Sequence, residues 1–373
     1  MSLKLVHQVD PADHGSSSIF FRWHPSSKAF AVACQNRSVL FYNSNCTVVR
    51  RNEIDEDIAN IAWDKEGSIL AISVKNISRV YIWHVYKNRT DTMESHLCGM
   101  EEVPKCFAWS SGSPALSIGN DIGFICVFDS TKGKRQMLAD IHNKAITGLK
   151  FIPNNLLAAC SEDNVLAIYK QNDLEQWQIE SATKLAGTPS QLECSYLNHG
   201  ENSPRLVVSV LLNKDSLFVA AADDLTECRV TKFPEFYGPV VSYSWLQDRA
   251  ILVSFENGYV IMISTKPATW GAALKRFPEF ESGLLGMVVD QCHRHCFSIN
   301  EKSVKIRKLD KPDEVAPLTM IETLAGLDNI VITRDQKLLS VSDKQGAVWI
   351  YEIEVPPRPR APNFNENPAQ GKV

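Results

Sequence analysis

The residues with the clearest potential for chemistry form the short stretch Cys292-His293-Arg294-His295-Cys296. Thiolate and imidazole are ligands that zinc prefers, usually four at a time in a tetrahedron. The stretch falls where one predicted strand turns into the next, so a hairpin could bring some of these side chains together. An extended chain would instead hold Cys292 and Cys296 about 13 Å apart, with the two histidines on the opposite face. We therefore assign no metal site.

A second candidate is the trio His142, Ser161 and Asp163, whose residue types are those of a hydrolytic triad. The same types also form hydrogen-bonding networks that hold the turns of a repeated β unit together, and we favour this structural interpretation. The sequence has no glycine-rich phosphate loop, zinc-protease motif, nucleophile-elbow motif or kinase signature. We therefore expect a protein that is not an enzyme, with no catalytic, cofactor-binding or metal-binding residues and no cofactor. Binding residues stay unassigned.

The elements that would position these residues are short strands repeated along the whole chain. Each unit has a strand that often ends in Trp or Phe, a polar turn, a second strand rich in small apolar residues, a tight turn, and a third strand ending in aromatic residues. Residues 58–83 and 106–129 follow this order closely. A repeat of forty-odd residues with several short strands is the signature of a β-propeller.

The repeat starts near residues 19, 58, 104, 145, 190, 240, 284 and 328, which predicts an all-β, closed WD-repeat propeller with eight blades. Seven blades remain possible if a divergent unit, the fifth (about 190–236) or the seventh (about 283–308), does not form a full sheet. Each of these two units is expected to keep three strands. In the fourth unit, Tyr169 stands where such repeats usually carry tryptophan.

Two further features support this arrangement. The N-terminal strand Lys4–Val9 precedes the first unit, and the last unit ends at Tyr351-Glu352 with no fourth strand after it. We therefore expect the N-terminal strand to supply the outer strand of the last blade and to close the ring, which removes the exposed edges. The tetrapeptide Phe233-Pro-Glu-Phe236 recurs as Phe277-Pro-Glu-Phe280, and we interpret this as an echo of the repeat period.

The composition and charge of the chain limit the classes of partner it is expected to bind. The 373 residues are 44% hydrophobic and carry a formal charge of −4, so the chain as a whole does not attract nucleic acid or anionic lipid. The longest basic runs, Lys132, Lys134 and Arg135 and then Arg50 with Arg51, are interpreted as solvated charges. No signal peptide or apolar run long enough to span a bilayer is present. Several of the ten cysteines lie in apolar strand patterns, which indicates a reducing, intracellular compartment.

The domain organisation predicted from these features is a propeller over residues 1–354 followed by a Pro-rich linker or tail over residues 355–373. Proline lacks the backbone donor that a sheet ladder needs, so the segment Pro356–Pro362 should be extended and solvated. Its position indicates that the natural protein continues beyond this propeller.

At this level of detail the sequence resembles a known family. Residues 61–71 with Tyr81-Ile82-Trp83 resemble the second repeat of intraflagellar transport protein 144, and residues 142–147 with 155–158 resemble its fourth. Residues 238–245 and 253–264 continue the resemblance in the same order, and it extends from about residue 17 to 353. The ordered succession is more specific than any single segment.

The resemblance implies a WD-repeat subunit of intraflagellar transport complex A, which is a non-catalytic protein-interaction scaffold. It acts in retrograde ciliary transport and in the entry of membrane cargo into cilia. The implied partners are other complex A subunits and ciliary cargo or adaptors, with no nucleic acid and no direct membrane insertion. The implied location is the cilium or flagellum, its base and the cytoplasm. Members of this family carry two propellers and a helical solenoid, whereas this chain carries one propeller.

Two alternatives from the sequence stay open. A vesicle-coat propeller that recognises cargo motifs or ubiquitin shares the same architecture. An enzyme with an active site in the central channel would need acidic or histidine side chains converging at the channel mouth, whereas the strand starts here are mostly apolar or amide.

Overall fold

The computed structural model describes residues 2–34, 37–94, 103–198, 204–246, 250–292, 294–310 and 318–354, so the predicted tail over residues 355–373 lies outside the described residues. These segments form eight four-stranded antiparallel sheets. The strands of the first four blades are β2 (Phe20–Trp23), β3 (Phe30–Ala33), β4 (Ser38–Tyr42) and β5 (Val48–Glu53); β6 (Ile58–Trp63), β7 (Ile69–Val74), β8 (Arg79–His84) and β9 (Arg89–Glu94); β10 (Pro104–Trp109), β11 (Ala115–Asn120), β12 (Ile125–Asp129) and β13 (Arg135–Leu138); and β14 (Ile146–Ile152), β15 (Leu156–Ser161), β16 (Val165–Gln171) and β17 (Trp177–Lys184).

The remaining strands form blades 5 to 8 in the same order. They are β18 (Pro189–Leu197), β19 (Arg205–Leu212), β20 (Ser216–Ala221) and β21 (Cys228–Lys232); β22 (Val240–Leu246), β23 (Ala250–Phe255), β24 (Tyr259–Ser264) and β25 (Ala273–Pro278); β26 (Gly286–Asp290), β27 (His295–Ile299), β28 (Ser303–Lys308) and β29 (Leu318–Met320); and β30 (Leu327–Ile332), β31 (Leu338–Asp343), β32 (Val348–Glu354) and β1 (Ser2–Val9). Three short 3-10 helices cover Pro11–Asp13, Glu235–Tyr237 and Pro267–Thr269. In the described part of the chain, no helix is long and apolar enough to cross a membrane.

The prediction of eight blades is confirmed. The first strands of the blades begin within two residues of the predicted starts, and both divergent units form complete sheets. At six of the eight junctions the first strands of neighbouring blades contact each other, so they are the innermost strands of the ring. In six blades the pairing of the first two strands also shifts by one residue at its beginning, as between Ile58 and Asn60 in blade 2. Such a bulge increases the local twist of the strand.

The N-terminal strand closes the ring as predicted. β1 pairs antiparallel with β32, from Ser2 opposite Glu354 to Val9 opposite Val348. Val9 and Val348 also pack in one apolar cluster with Phe21 and Phe30 of the first blade. The two ends of the propeller are therefore joined by hydrogen bonds within blade 8 and by apolar burial between blades 8 and 1.

The core lies between the blades and is supplied mainly by the middle strands. All four residues of β3 and all five of β4 are buried, whereas β5 is almost wholly exposed. Middle strands face a neighbouring blade on each side, so both of their faces are apolar, while the outer strand faces solvent. The expectation of three strands in the fifth and seventh units is wrong for this reason. β21 and β29 are polar or short outer strands that lack the apolar signal of the others.

The duplicated tetrapeptide does not mark equivalent positions. In blade 5 Phe233 is the first residue after the outer strand β21, and its backbone N–H bonds to the carbonyl of Asp215. The residue in that place in blade 6 is Glu279, whose N–H bonds to the carbonyl of Gly258. The second copy is therefore displaced by two residues relative to the blade, so its glutamate is buried and Glu235 is exposed.

Candidate functional site

The trio in blade 4 forms one hydrogen-bonded chain. His142 Nδ1 lies 2.6 Å from Ser161 Oγ, and Ser161 Oγ in turn donates to Asp163 Oδ1. The other oxygen of Asp163 accepts the backbone N–H of Asn143 at 2.7 Å. The chain thus links the connection between blades 3 and 4 to the turn between β15 and β16. Since Ser161 is fully buried, its hydroxyl cannot meet a substrate from solution.

Burial dominates the electrostatics of this network. His142 is 2% exposed, and desolvation of its imidazole lowers its pKa to about 4, although the carboxylate of Asp163 opposes the shift. The imidazole is therefore neutral at physiological pH. Tyr169 is buried and packs beside His142, with the ring centroids 6.4 Å apart. Tyr169 thus occupies the position where such repeats usually carry tryptophan, and its ring packs against His142.

An equivalent histidine, not predicted from the sequence, lies at the junction between blades 8 and 1. His14 is fully buried, with its Nδ1 3.3 Å from the hydroxyl of Tyr42 and its Nε2 2.8 Å from the carbonyl oxygen of Gly346. It therefore joins the last blade to the first. The available signal was a histidine before the first strand of a blade together with an aromatic residue at the end of the third strand.

The described residues of the Cys/His stretch lie where β26 gives way to β27, which is the position predicted from the sequence. His295 and Cys296 are consecutive residues of β27, so their side chains point to opposite faces of the sheet. Cys296 packs in the apolar cluster between blades 6 and 7, where burial raises the pKa of its thiol, whereas Cys292 is exposed. His293 lies outside the described residues. Among the described residues, no group of three or more side chains of metal-binding type comes together.

The acidic side chains near the inner strand of blade 8 are engaged in turns. Asp343 accepts the hydroxyl of Thr323 at 2.6 Å and the backbone N–H of Ala347 at 2.9 Å. Asp328 accepts the hydroxyl of Ser342 at 3.0 Å, and burial raises its pKa. These carboxylates therefore stabilise the end of blade 8 at which β30 begins and β31 ends.

Two of the clefts on the described surface open between neighbouring blades. The larger one, of about 780 Å³, lies between the outer parts of blades 3 and 4, and we call it the blade 3/4 cleft. Its lining comprises Ser113, Pro114, Ala115, Val127, Asp129, Thr131, Lys132, Lys134, Arg135, Gln136, Gln171, Leu174, Glu175, Gln176 and Trp177. The smaller one, of about 340 Å³, lies between blades 5 and 6 beside Arg229 and Trp270. The side of the ring therefore has concave surfaces that a polypeptide segment can enter.

The basic loop singled out in the sequence forms one wall of the blade 3/4 cleft. Lys132 and Lys134 are exposed in the turn between β12 and β13, and Arg135 begins β13. Arg50 and Arg51 instead lie along β5, the exposed outer strand of blade 1. The run of Lys132, Lys134 and Arg135 therefore borders a concave surface.

Eight four-stranded blades form a closed ring, and blade 4 carries the hydrogen-bonded chain of His142, Ser161 and Asp163. These features define the class of protein: this is a WD-repeat β-propeller. Within that class, residues 19–346 match the family model described as the WDR19 first beta-propeller, and the chain belongs to that family.

Individual relatives agree with this assignment. The chain is 34% identical over 356 residues to WD repeat-containing protein dyf-2 of Caenorhabditis elegans, which covers 95% of this chain and 26% of that protein. It is 24% identical over 299 residues to WD repeat-containing protein 19 of Homo sapiens, covering 79% of this chain and 22% of the relative. The chain thus spans about a quarter of the length of the curated relatives it matches.

A solved structure shows the same fold at low sequence identity. The crystal structure of Saccharomyces cerevisiae Sqt1 superposes with a TM-score of 0.73 at 13% identity, covering 95% of this chain and 100% of that one. At this level of identity the likeness concerns the fold alone.

Proposed function

We propose that this chain is the N-terminal propeller of an intraflagellar transport complex A subunit and acts as a non-catalytic protein-interaction scaffold. Its role is in retrograde ciliary transport and in the entry of membrane cargo into cilia. The observation that carries this proposal is the match of residues 19–346 to the WDR19 first beta-propeller family, in agreement with the ordered resemblance in the sequence.

The placement of the reactive side chains supports a scaffold. Ser161 and His142 are buried between blades, and Cys296 lies in an apolar cluster. The outer strands and the two clefts instead present a broad exposed surface of mixed polarity, which is what recognition of another protein requires. Function therefore resides in surface shape and charge, with the closed ring as a rigid support.

The partners in this proposal are other complex A subunits and ciliary cargo or adaptors, without nucleic acid. The protein would reside in the cilium or flagellum, at its base and in the cytoplasm. Residues 1–354 would form the interacting propeller, and residues 355–373 a Pro-rich linker or tail.

The test is affinity capture from ciliated cells followed by mass spectrometry. The longest natural form of the protein and the chain of residues 1–373 are captured in parallel, with Sqt1, a propeller of the same fold, as the control bait. The expected result is recovery of complex A subunits with the long form, and of fewer subunits or only cargo adaptors with the single propeller. Recovery of coat or ubiquitin-pathway proteins without any ciliary subunit would overturn the proposal in favour of a vesicle-coat propeller.

A further inference from the structure

We propose that the blade 3/4 cleft binds an extended acidic segment of a partner protein that carries a bulky apolar side chain. This inference rests on the proposed function, because it specifies the chemistry of a partner that the scaffold holds.

The floor of the cleft is apolar and fixed in place. Ala115, Val127 and Trp177 are each less than 10% exposed. The amide of Gln136 locks the two blades together, since its Nε2 donates to the carbonyl of Trp177 at 2.7 Å and its Oε1 accepts the N–H of Trp177 at 2.7 Å. The cleft is therefore a preformed feature of the junction, and a ligand need not open it.

One wall is unusually basic for this protein. Lys132, Lys134 and Arg135 place three cations within four residues of a chain whose formal charge is −4. Lys132 forms an ion pair with Glu175 of the opposite wall, and the guanidinium of Arg135 lies 5.9 Å from the ring centroid of Phe128. Within the described part of the chain, Lys134 is exposed and takes part in no ion pair.

The carboxylates of the cleft do not balance this charge. Asp129 is turned into its own loop, where it accepts the N–H and the hydroxyl of Thr131 at 2.9 and 2.7 Å and the N–H of Lys132 at 2.9 Å. Glu175 is bonded to Lys132, and the nearby charge of Lys134 also helps to lower the pKa of its carboxyl, so three cations face two carboxylates. An incoming carboxylate can therefore bind Lys134 directly and share Lys132 with Glu175, which is a gain in charge complementarity.

The rim of the cleft supplies an apolar anchor. Leu174 lies at the tip of the turn between β16 and β17 and is 79% exposed. A large aliphatic side chain held in water beside an apolar floor can pack on an apolar side chain of a ligand, with burial of both. Leu174 thus favours a segment with one bulky apolar residue between its acidic residues.

The same features disfavour nucleic acid. A backbone of phosphates is held by a long basic stripe with many contacts, whereas this wall has three cations and the opposite wall has a carboxylate. An acidic peptide needs only a few contacts and gains from Leu174.

The probe for the test is a fluorescein-labelled twelve-residue peptide of alternating Asp and Ser with one central Leu, titrated with the full chain by fluorescence anisotropy at low salt. Lys134→Glu should weaken binding about tenfold and Leu174→Ser about threefold, on the scale expected for one charge reversal and one apolar contact. Lys28→Glu is the matched control, since Lys28 is an exposed lysine of the turn between β2 and β3, on the same face of the ring. Thermal melting of each variant checks that the fold is retained.

Three results would overturn the inference: unchanged affinity in Lys134→Glu, equal binding of a peptide with Ser in place of the central Leu, or tighter binding of an oligothymidylate of the same length. Failure here is separable from failure of the proposed function. If wild-type protein does not bind the peptide yet captures complex A subunits, only the assignment of the cleft is wrong. If the long form captures no ciliary subunit, the proposed function fails whatever the peptide does.

Discussion

The indole Nε1 of Trp109 donates a hydrogen bond of 3.1 Å to the carbonyl oxygen of Ala62 in the preceding blade. Trp63 makes the same bond one blade earlier, to the carbonyl oxygen of Arg22 at 3.3 Å. In each case the acceptor is the residue just before the tryptophan of the neighbouring blade. The tryptophans that end the first strands therefore fix the register of one blade against the next, close to the centre of the ring.

Replacing Trp109 by Phe removes this inter-blade hydrogen bond, which should contribute about 1 kcal/mol to the free energy of unfolding, and it also reduces the size of the ring. The measurement is urea denaturation. Trp270→Phe is the matched control, since the buried indole N–H of Trp270 has no hydrogen-bond partner among the described residues, so the same reduction in ring size breaks no hydrogen bond and should cost less. Equal losses in the two variants would contradict the structural role of the bond between Trp109 and Ala62.

Gly67 approaches a neighbouring histidine too closely for any side chain. A Cβ at this position would lie 1.9 Å from Nε2 of His24, and its φ of +73° is costly for other residues. Gly67→Ala should therefore destabilise the protein by about 2–4 kcal/mol, through displacement of His24 as well as backbone strain.

Gly133 separates these two causes. Its φ is +66°, yet a Cβ there would meet no atom within 4 Å. Gly133→Ala should cost only the backbone strain, about 1–2 kcal/mol. Thermal or urea unfolding of both variants measures the difference, and similar losses would mean that the contact with His24 is relieved at little cost.

The sequence predicted those parts of the fold that depend on local apolar periodicity, such as the first and middle strands of every blade and the closing strand β1. It did not predict outer strands such as β21 and β29, because these strands face solvent and lack alternation. The duplicated Phe-Pro-Glu-Phe misled for a similar reason, since identical letters do not report strand register. The blade 3/4 cleft arises from two blades coming together, so only its basic loop was visible in advance.

Glu279 and Arg307 form a buried ion pair between blades 6 and 7. The Nε of Arg307 donates to Oε1 of Glu279 at 2.7 Å, and both residues are less than 10% exposed. Glu279→Gln removes the charge of the carboxylate that binds the buried guanidinium and should cost about 3–5 kcal/mol.

The double variant Glu279→Gln/Arg307→Met should recover much of this loss, because the buried positive charge is removed as well. Lys305 also pairs with this carboxylate, since its Nζ lies 3.8 Å from Oε2 of Glu279, but its side chain is partly exposed and can stay hydrated in both variants. Urea denaturation of wild type, the single variant and the double variant measures these free energies of unfolding. A double variant less stable than Glu279→Gln would show that the pair is not coupled in this way.

His142 makes stability depend on pH in a defined direction. Burial lowers its pKa to about 4 in the folded protein, whereas the unfolded chain has the ordinary value of about 6.5. As the pH falls from about 6.5 to 4, the unfolded state takes up a proton that the folded state does not. The contribution of His142 to the free energy of unfolding is therefore fully present above pH 6.5. It is lost progressively as the pH falls to 4, by at most about 3 kcal/mol.

His142→Asn removes the titrating group but keeps a polar side chain beside Ser161, so it isolates this contribution. The variant is expected to be less stable than wild type at pH 7.5 and to lose less stability on acidification. The measurement is the free energy of unfolding in urea at intervals between pH 7.5 and 4.5, with the wild-type curve subtracted. Parallel curves for the two proteins would place the acid sensitivity in other groups, such as the carboxylates of blade 8. A difference that narrows toward pH 4.5 would assign it to the imidazole that joins blade 3 to blade 4.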